Sequence, residues 1–502
     1  MSEVMSDAIR EHCGVVGMMC RDEKIVSCLY WSLLTLNHRG HESYGVAVLS
    51  PDGHVSVEKG LGLISDLSLE EFHAWEKELR GRLGIGHVRY ATSGQLSSKA
   101  DLLADAQPVA DEHLGKNLCI AFNGNVTNLL QVSEELASGA SKRSDAHVLL
   151  RVLLEEYVKN DDVTDVLRLI CEKLDGAYAI VGLTESGELF AFKDPHGIRP
   201  LSYGFSDNVG IIGVASESPA LAVNGIELSE ELKPGELVLI GNDGSIERRI
   251  IKGMCECFCA FEYAYFARPD SKFQGRYVYE ARRELGRKLA QRYSEIARNV
   301  DVVVPVPQTA EDAAYGFHLE TGKSVEPAIV RHRYLKHRAF IIPAEQRKLI
   351  LLHKYNLLLD RVRGKKVALI DDSIVRGDTL GHIVRMLKGA GAREVHVFST
   401  FPKISSPCFY GIDMATFQEL IGFNRDEEEI ARLLSADSVN YQLINDFCDA
   451  VGTNNLCLAC ITGSYPTPYA QKLAEEGRRL ALEGKKAEGR LFEVMGGGRC
   501  RA

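Results

Sequence analysis

The chain has 502 residues, which at roughly 150 residues per domain corresponds to two or three domains. Its composition, 45% hydrophobic, 25% charged and 8% aromatic, excludes a disordered or fibrous protein. A net charge of −10 argues against a broad nucleic-acid or anionic-membrane surface, since both need a basic face. No stretch has the length and purity of a membrane span, and the polar start MSEVMSDAIREH lacks the apolar core of a secretory signal, so a cytoplasmic protein is expected. The 13 cysteines, an odd number without an export signal, point to thiol catalysis or metal ligation rather than a disulfide framework.

From the N-terminus to about Gly241 the sequence consists of short apolar runs broken by turn signals: GVVGMM from Gly14, GVAVLS from Gly45, VSVEKG from Val55, GIGHVRY from Gly84, CIAFNGN from Cys119 and AYAIVGL from Ala177. Their length and β-branched content predict strands. Residues 145–157 and 162–174 have helical spacing, and each stretch opens on an Asp suited to an N-cap. A layered α+β domain follows. Beyond Gly253 the spacing predicts one long helix over 277–299, with Leu285, Leu289, Tyr293 and Ile296 on its apolar face. A strand, VVVPVP from Val302, and a helix near Glu311 come next. Strand VALI from Val367, a helix over 380–388 stopped by Gly389-Ala390-Gly391, and strand EVHVFST from Glu394 form a βαβ unit, which implies a parallel sheet. The domain boundary falls near residues 240–258, and residues 467–502 predict a surface helix and a tail.

The densest motif is VALIDDSIVRGDTL from Val367. A strand ends in Asp371 and Asp372. A loop through Ser373, Arg376 and Gly377 then leads to Asp378-Thr379 at a helix start. Free N–H groups at a helix N-terminus hold phosphate, and a glycine lets the backbone approach closely. The two acids suit ribose hydroxyls or magnesium; a solvated Asp-Asp turn is the plain alternative. The whole string resembles the signature of the type I phosphoribosyltransferases, which bind phosphoribosyl pyrophosphate (PRPP), although Thr is usual where this chain has Asp378. The resemblance makes Asp371, Asp372, Ser373, Arg376, Gly377 and Thr379 PRPP contacts. VVVPVPQT from Val302 resembles that family's pyrophosphate loop, with Gln308 in place of the usual acid. Thr309, Asp371 and Asp372 would then hold Mg2+. The basic stretch over 331–340, with Arg338, and Arg347 resemble the loop that closes over PRPP and neutralises departing pyrophosphate. It has one extra residue and Ala339 for Thr, and a solvated basic surface is the other reading.

EHCGVVG from Glu11 fits, by itself, a small buried Cys starting a strand. With LNHRGHESYG from Leu36, GHVRYATSG from Gly86, FNGN from Phe122 and SDAH from Ser144, it resembles the glutaminase domain of the N-terminal-nucleophile (Ntn) amidotransferases. In that family a propeptide, here residues 1–12, is removed and the Cys becomes residue one. Its free α-amine, with a pKa of about 7.7–8.0, takes the thiol proton at neutral pH. By resemblance Cys13 attacks the glutamine amide, Asn123 (side chain) and Gly124 (N–H) form the oxyanion hole, Arg89 pairs with the substrate α-carboxylate and Asp145 holds its α-ammonium. Singly, Arg89 or Asp145 reads as a surface ion-pair member. The chain departs from the family at His12 (Asp, Glu or Asn is commoner), His41 (Gln), Tyr44 (Ala), Phe122 (His) and His147 (Glu).

Cys457-Leu458-Ala459-Cys460 is a C-x₂-C metal signal. Cys408 in SPCFYGID and Cys259 in CAFEYAYFARPDS lie in segments that resemble the amidophosphoribosyltransferase family. In its iron–sulfur class four cysteines occupy these places, so the resemblance makes Cys259, Cys408, Cys457 and Cys460 ligands of a [4Fe–4S] cluster. Four thiolates also suit zinc, buried unligated thiols are the plain alternative, and Cys255 and Cys257 leave the first ligand open. Cys20, Cys28, Cys119, Cys171 and Cys448 read as core, and Cys500 lies in the tail.

The resemblance spans residues 13 to about 466. It implies an αββα Ntn-hydrolase sandwich over 13–245 joined to a parallel-sheet phosphoribosyltransferase fold over 258–466. It also implies the conversion of glutamine, PRPP and water to 5-phosphoribosylamine, glutamate and pyrophosphate, the first step of de novo purine synthesis. The implied protein is a homotetramer or homodimer, inhibited by purine nucleotides, with no nucleic-acid or membrane partner. Two other readings stand beside it. Gln308 and Asp378 motivate a glutaminase with altered acceptor chemistry, and a non-catalytic nucleotide-binding regulator is the second.

Overall fold

The first domain is built from thirteen strands: β1 (Gly14–Cys20), β2 (Ser43–Leu49), β3 (Val55–Leu61), β4 (Leu83–Arg89), β5 (Val109–His113), β6 (Lys116–Val126), β7 (Gly176–Thr184), β8 (Glu188–Lys193), β9 (Ser202–Ser206), β10 (Ile211–Ala215), β11 (Ser229–Glu231), β12 (Glu236–Gly241) and β13 (Ile246–Ile250). The computed structural model describes residues 13–22, 24–90, 99–129, 131–132, 144–332 and 355–485. The strands form two antiparallel sheets, ordered β11-β9-β10-β1-β4-β2-β3 and β13-β12-β8-β7-β6-β5. Every residue of β1, β2, β4 and β7 is buried, because both faces of these strands are covered. The inner faces pack Val15, Met19 and Ile85 of one sheet against Ala121, Val181 and Leu189 of the other. Helix α1 (Ile25–Thr35) covers the outside of the first sheet through Leu29 and Leu33. Helices α2 (Asp145–Asn160) and α3 (Val163–Lys173) cover the second.

All six apolar runs are strands, and Asp162 caps α3 by accepting the Thr164 N–H. At α2 the cap position falls instead on Ser144, and Asp145 is the first helical residue. An acid in the first turn is favoured by the helix dipole whichever residue caps it.

The second domain carries α4 (Val278–Arg292), β14 (Val302–Pro305), α5 (Glu311–Thr321), β15 (Ser324–Val325), β16 (Lys366–Asp371), α6 (Asp378–Gly389), β17 (Glu394–Ser399), β18 (Ser438–Tyr441) and α7 (Pro468–Leu482). Its sheet is parallel throughout, ordered β15-β14-β16-β17-β18. The long helix expected over 277–299 breaks at Tyr293, where φ is −106° and ψ 41°, and resumes as Ser294–Asn299. The cause is tertiary: the Tyr293 hydroxyl donates to the Tyr441 carbonyl on β18 at 2.8 Å. Helices α4 and α5 pack backbone to backbone. A Cβ on Gly286 would lie 1.8 Å from the Ala313 carbonyl oxygen, and one on Gly316 would lie 1.8 Å from that of Arg283. Among the described residues no helix is long and apolar enough to cross a membrane.

Buried charge joins the two domains. Arg39, just after α1, donates to Glu217 beyond β10 and to Glu262, which opens a π-helical turn (Glu262–Phe266) of the second domain. Arg199 lies 3.5 Å from the same Glu262 carboxylate, and its Nε donates to the Tyr410 carbonyl at 2.9 Å. These four charged side chains have no exposed surface. Burial alone would raise Glu217 and lower Arg39. Their opposite charges outweigh it, holding Glu217 well below the usual carboxylate range and Arg39 raised.

At one end of the sandwich His87 of β4 bridges to β6. Its Nε2 lies 3.2 Å from the Phe122 carbonyl, which can only accept, so Nε2 carries the proton. Gln107 Oε1 accepts the Phe122 N–H at 2.8 Å and continues the ladder just ahead of the start of β5. Burial pushes the His87 pKa down to about 3, aided by the nearby Arg89 charge, so the imidazole is neutral.

Arg39→Met is expected to destabilise the fold by about 3–5 kcal/mol, because it removes the cation shared by two buried carboxylates; the shift in denaturant midpoint measures it. Stability is expected to fall as pH drops from about 6.5 toward about 3, since the unfolded chain takes a proton that folded His87 refuses. Urea melts at pH 7 and pH 5 check this: His87→Gln should reduce the difference between them.

Candidate active site

Cys13 enters β1 opposite the end of β4, where Gly14 pairs with Val88. Its Sγ lies 3.7 Å from the Tyr90 carbonyl. Burial pushes this thiol up to about 11; the Arg89 guanidinium pulls it down, while Asp145 and Glu42 push it further up. Three residues named from the sequence, Cys13, Arg89 and Asp145, are thus brought together. The thiol is protonated at neutral pH and needs a base to become a nucleophile. Arg89 is buried and lies 3.4 Å from Glu42. Sequence reasoning gave Glu42 no role, although it stands inside the quoted LNHRGHESYG string.

Asn123 is fully buried on β6, and neither its Nδ2 nor its Oδ1 has a hydrogen-bond partner among the described residues. Leaving a buried polar group unsatisfied costs about 1–3 kcal/mol. Such a group is explained most simply by a ligand that pairs with it. The next residue, Gly124, has φ +143°, and a Cβ there would lie 2.0 Å from the Ala177 carbonyl oxygen, so only glycine fits. The His87 bond to Phe122 fixes the start of this Asn-Gly peptide two residues from Arg89 along β4. Of the departures from the family spelling, Tyr44 and Phe122 are buried in the cores beneath α1 and α2. The His147 Nδ1 pairs with Ser144 Oγ at 2.9 Å, and the His41 ring stacks edge-on to Tyr90 at 6.4 Å. His12 and the proposed propeptide lie outside the described residues.

The second constellation lies at the carboxyl ends of β14 and β16. Thr309 Oγ1 donates to the Asp372 carboxylate, and Ser373 Oγ donates to its other oxygen at 2.7 Å. Burial pushes Asp372 up, opposed by these hydrogen bonds and by the charge of Arg282. Gly377, at φ +89°, is the residue before α6, and a Cβ there would lie 2.5 Å from Ile421 Cδ1. Asp378 is exposed and Thr379 half-buried at the helix start. Arg376, expected to contact PRPP, is held within the loop by Glu419. Its Nε donates to Glu419 at 2.9 Å, and its Nη2 donates to the same carboxylate. This pairing fixes the position of its guanidinium in the loop. Arg338 and Arg347 lie outside the described residues.

Sequence reasoning also missed Tyr355 and Arg282. Tyr355 pairs with Arg331 on a short hairpin (Ile329–Arg331 with Tyr355–Leu357) and lies close enough to Asp371 and Asp372 to feel both charges. Arg282 is buried and donates to the Tyr263, Tyr265 and Ala267 carbonyls at 2.9, 3.1 and 2.8 Å. It thereby fixes the π turn beside the acids. Its place on the polar flank of a helix pattern gave no signal of either contact.

Cys259, Cys457 and Cys460 are buried in one apolar cluster, against which Cys408 and Cys257 pack. Phe258–Cys259 and Leu456–Cys457 form a two-residue parallel pair that sets Cys259 beside Cys457. Cys408, Cys457 and Cys259 all act electrostatically on Cys460. Burial pushes Cys259 up to about 12 and raises Cys457 and Cys460 well above the ordinary thiol range. All are free thiols. Among the described residues no three His, Cys, Asp or Glu side chains are closed into a metal-holding shell. The donor chemistry nonetheless fits a cationic group, because four neighbouring thiols in apolar surroundings need positive charge to ionise. Cys255 is exposed, while Cys20, Cys28, Cys119, Cys171 and Cys448 are buried as expected. Cys500 lies outside the described residues.

Residues 94–223 match a glutamine amidotransferase domain. The chain is 36% identical to the amidophosphoribosyltransferase of Methanothermobacter thermautotrophicus over 475 residues, 93% of this chain and 97% of that one. It is 36% identical to the Bacillus subtilis amidophosphoribosyltransferase over 478 residues, 92% and 96% of the two chains. Among solved structures, glutamine PRPP amidotransferase from B. subtilis, complexed with ADP and GMP, superposes with a TM-score of 0.80 at 34% identity, covering 91% of this chain and 98% of that one. The architecture is therefore an Ntn glutaminase sandwich joined to a phosphoribosyltransferase sheet, and the chain belongs to the amidophosphoribosyltransferase family of glutamine-dependent pentosyltransferases.

Proposed function

We propose that the chain converts glutamine, PRPP and water to 5-phosphoribosylamine, glutamate and pyrophosphate, the entry reaction of purine synthesis. The observation that carries the reading is the unpartnered, fully buried Asn123 amide on the strand that His87 ties to the Arg89 end of β4, beside Cys13. Removal of residues 1–12 would give Cys13 a free α-amine, which takes the proton from Sγ. The thiolate attacks the glutamine side-chain carbonyl, and the oxyanion is held by Asn123 Nδ2 and the Gly124 N–H. Ammonia leaves with that proton, and water then hydrolyses the γ-glutamyl thioester. Arg89 takes the substrate α-carboxylate, displacing Glu42, and Asp145 takes its α-ammonium. Ammonia then attacks C1 of PRPP as pyrophosphate departs.

In the second domain Ser373, Gly377, Thr379 and the start of α6 would hold the 5-phosphate, with Asp371 and Asp372 on the ribose hydroxyls. Thr309 and the two acids would hold Mg2+, which neutralises charge on the leaving pyrophosphate. Arg338 and Arg347 would close over it. Arg376, positioned by Glu419, would face PRPP from the same loop. Cys259, Cys408, Cys457 and Cys460 would hold a [4Fe–4S] cluster, which supplies the charge that lets buried thiols ionise. The ADP and GMP bound to the B. subtilis relative support purine nucleotides as feedback ligands, and we propose a homo-oligomer over domains 13–245 and 258–466.

PRPP-dependent glutamate release tests the reading. Cys13→Ala should abolish it, and Asn123→Ala should lower kcat by about 10²–10³. Glutaminase activity indifferent to PRPP would sink the proposed acceptor. Intact mass with Met1 still attached in active protein would remove the α-amine from the mechanism. Cys457→Ser is expected to lose iron and acid-labile sulfide together, whereas Cys448→Ser keeps both. Zinc in place of iron would replace the cluster assignment.

A further inference from the structure

The oxyanion strand is held from the second domain. Asn125, one residue beyond Gly124 and 3% exposed, donates from Nδ2 to the Phe409 carbonyl at 2.9 Å. Arg199 grips the next carbonyl, that of Tyr410, from Nε at 2.9 Å. Gly411 follows at φ +110°, and a Cβ there would lie 3.2 Å from both the carbonyl carbon and the oxygen of Gly124. Phe409 is thus bonded to the residue after Gly124 and Gly411 lies against the Gly124 carbonyl, on the peptide that directly follows the proposed oxyanion N–H, while Arg199 holds Tyr410 between them. The bonds run to backbone carbonyls, so they fix the path of residues 409–411 rather than any side chain.

We infer that residues 409–411 seat the oxyanion peptide, with Asn125 and Gly411 as positioning residues for glutamine hydrolysis. The inference rests on the assignment of Asn123 and Gly124 to the oxyanion hole. Donors in such a hole act only when pre-aligned on the developing charge. A small shift of Gly124 therefore weakens the transition state while leaving glutamine binding, which uses Arg89 and Asp145, unchanged. The contact also gives the acceptor domain a physical hold on the ammonia-producing site: displacing 409–411 displaces the oxyanion peptide with it. Residue 408, at the head of the segment, is one of the proposed cluster ligands, and the Tyr410 N–H donates to its sulfur at 3.4 Å.

The test compares Asn125→Leu, Gly411→Ala and Asn123→Ala in the full-length enzyme. Glutamine-dependent and ammonia-dependent phosphoribosylamine formation are measured for each. Asn125→Leu and Gly411→Ala should each lower kcat with glutamine about tenfold or more, with KM for glutamine and the ammonia-dependent rate within about twofold of the parent. A role confined to structural support predicts that the ammonia-dependent rate and thermal midpoint fall in parallel with the glutamine rate, and that result overturns the inference. So does an unchanged glutamine kcat in Asn125→Leu, or a loss confined to KM. If Asn123→Ala also keeps full glutamine kcat, the oxyanion assignment itself is wrong; if Asn123→Ala is crippled while Asn125→Leu is not, only the positioning role falls.

Discussion

Everything in this molecule is arranged around one buried knot of charge. Arg39 from the end of α1, Glu217 from the end of β10, Arg199 from the β8–β9 connection and Glu262 from the second domain meet with no access to water. Ion pairs in such places seldom stabilise more than well-packed apolar groups would, because desolvation offsets most of their attraction. They are directional, however. Glu217 also accepts the Arg268 N–H at 3.0 Å and Ser271 Oγ at 2.5 Å, so one carboxylate fixes the entry of the second domain against the first. The π turn that bears Glu262 is fixed from its other side by Arg282, which also lies near Asp372. Between the two proposed reaction centres, then, runs a chain of buried polar contacts.

That rigidity suits the chemistry of an ammonia-transferring enzyme. Ammonia released into water is protonated and ceases to be a nucleophile, so the two sites must be held in a fixed relation and screened from solvent. It also reconciles a chain of net charge −10 with a polyphosphate substrate. On the proposed reading the anion would be met locally by the start of α6 and a glycine-bearing loop, not by a basic face.

Legibility in the sequence followed the range of the interactions involved. The strand–loop–helix containing VALIDDSIVRGDTL could be read because strand, turn glycine and helix start are all local. The buried strands of the sandwich could be read because their apolar runs are short and β-branched. The break at Tyr293 could not, because a hydroxyl bond to β18 causes it. The Glu419 partner of Arg376 could not be read either, since it lies 43 residues away. The strings LNHRGHESYG and CAFEYAYFARPDS marked the family, but their physical reason is visible only in three dimensions: Arg39 and Glu262, one from each, form the interdomain pair. Asn123 was legible by name alone; its empty hydrogen-bonding capacity is a property of the folded core.

The final helix has a consequence of its own. Thr467 Oγ1 and the Tyr469 N–H, at the start of α7, bond Asp175 of the first domain at 2.6 and 2.9 Å. The polypeptide thus crosses from sandwich to parallel sheet and then returns to fasten its last described helix on the unit it left. A chain cut in the connection between the two would remain clasped by this return, and neither piece could leave without baring charged groups that the other now shields.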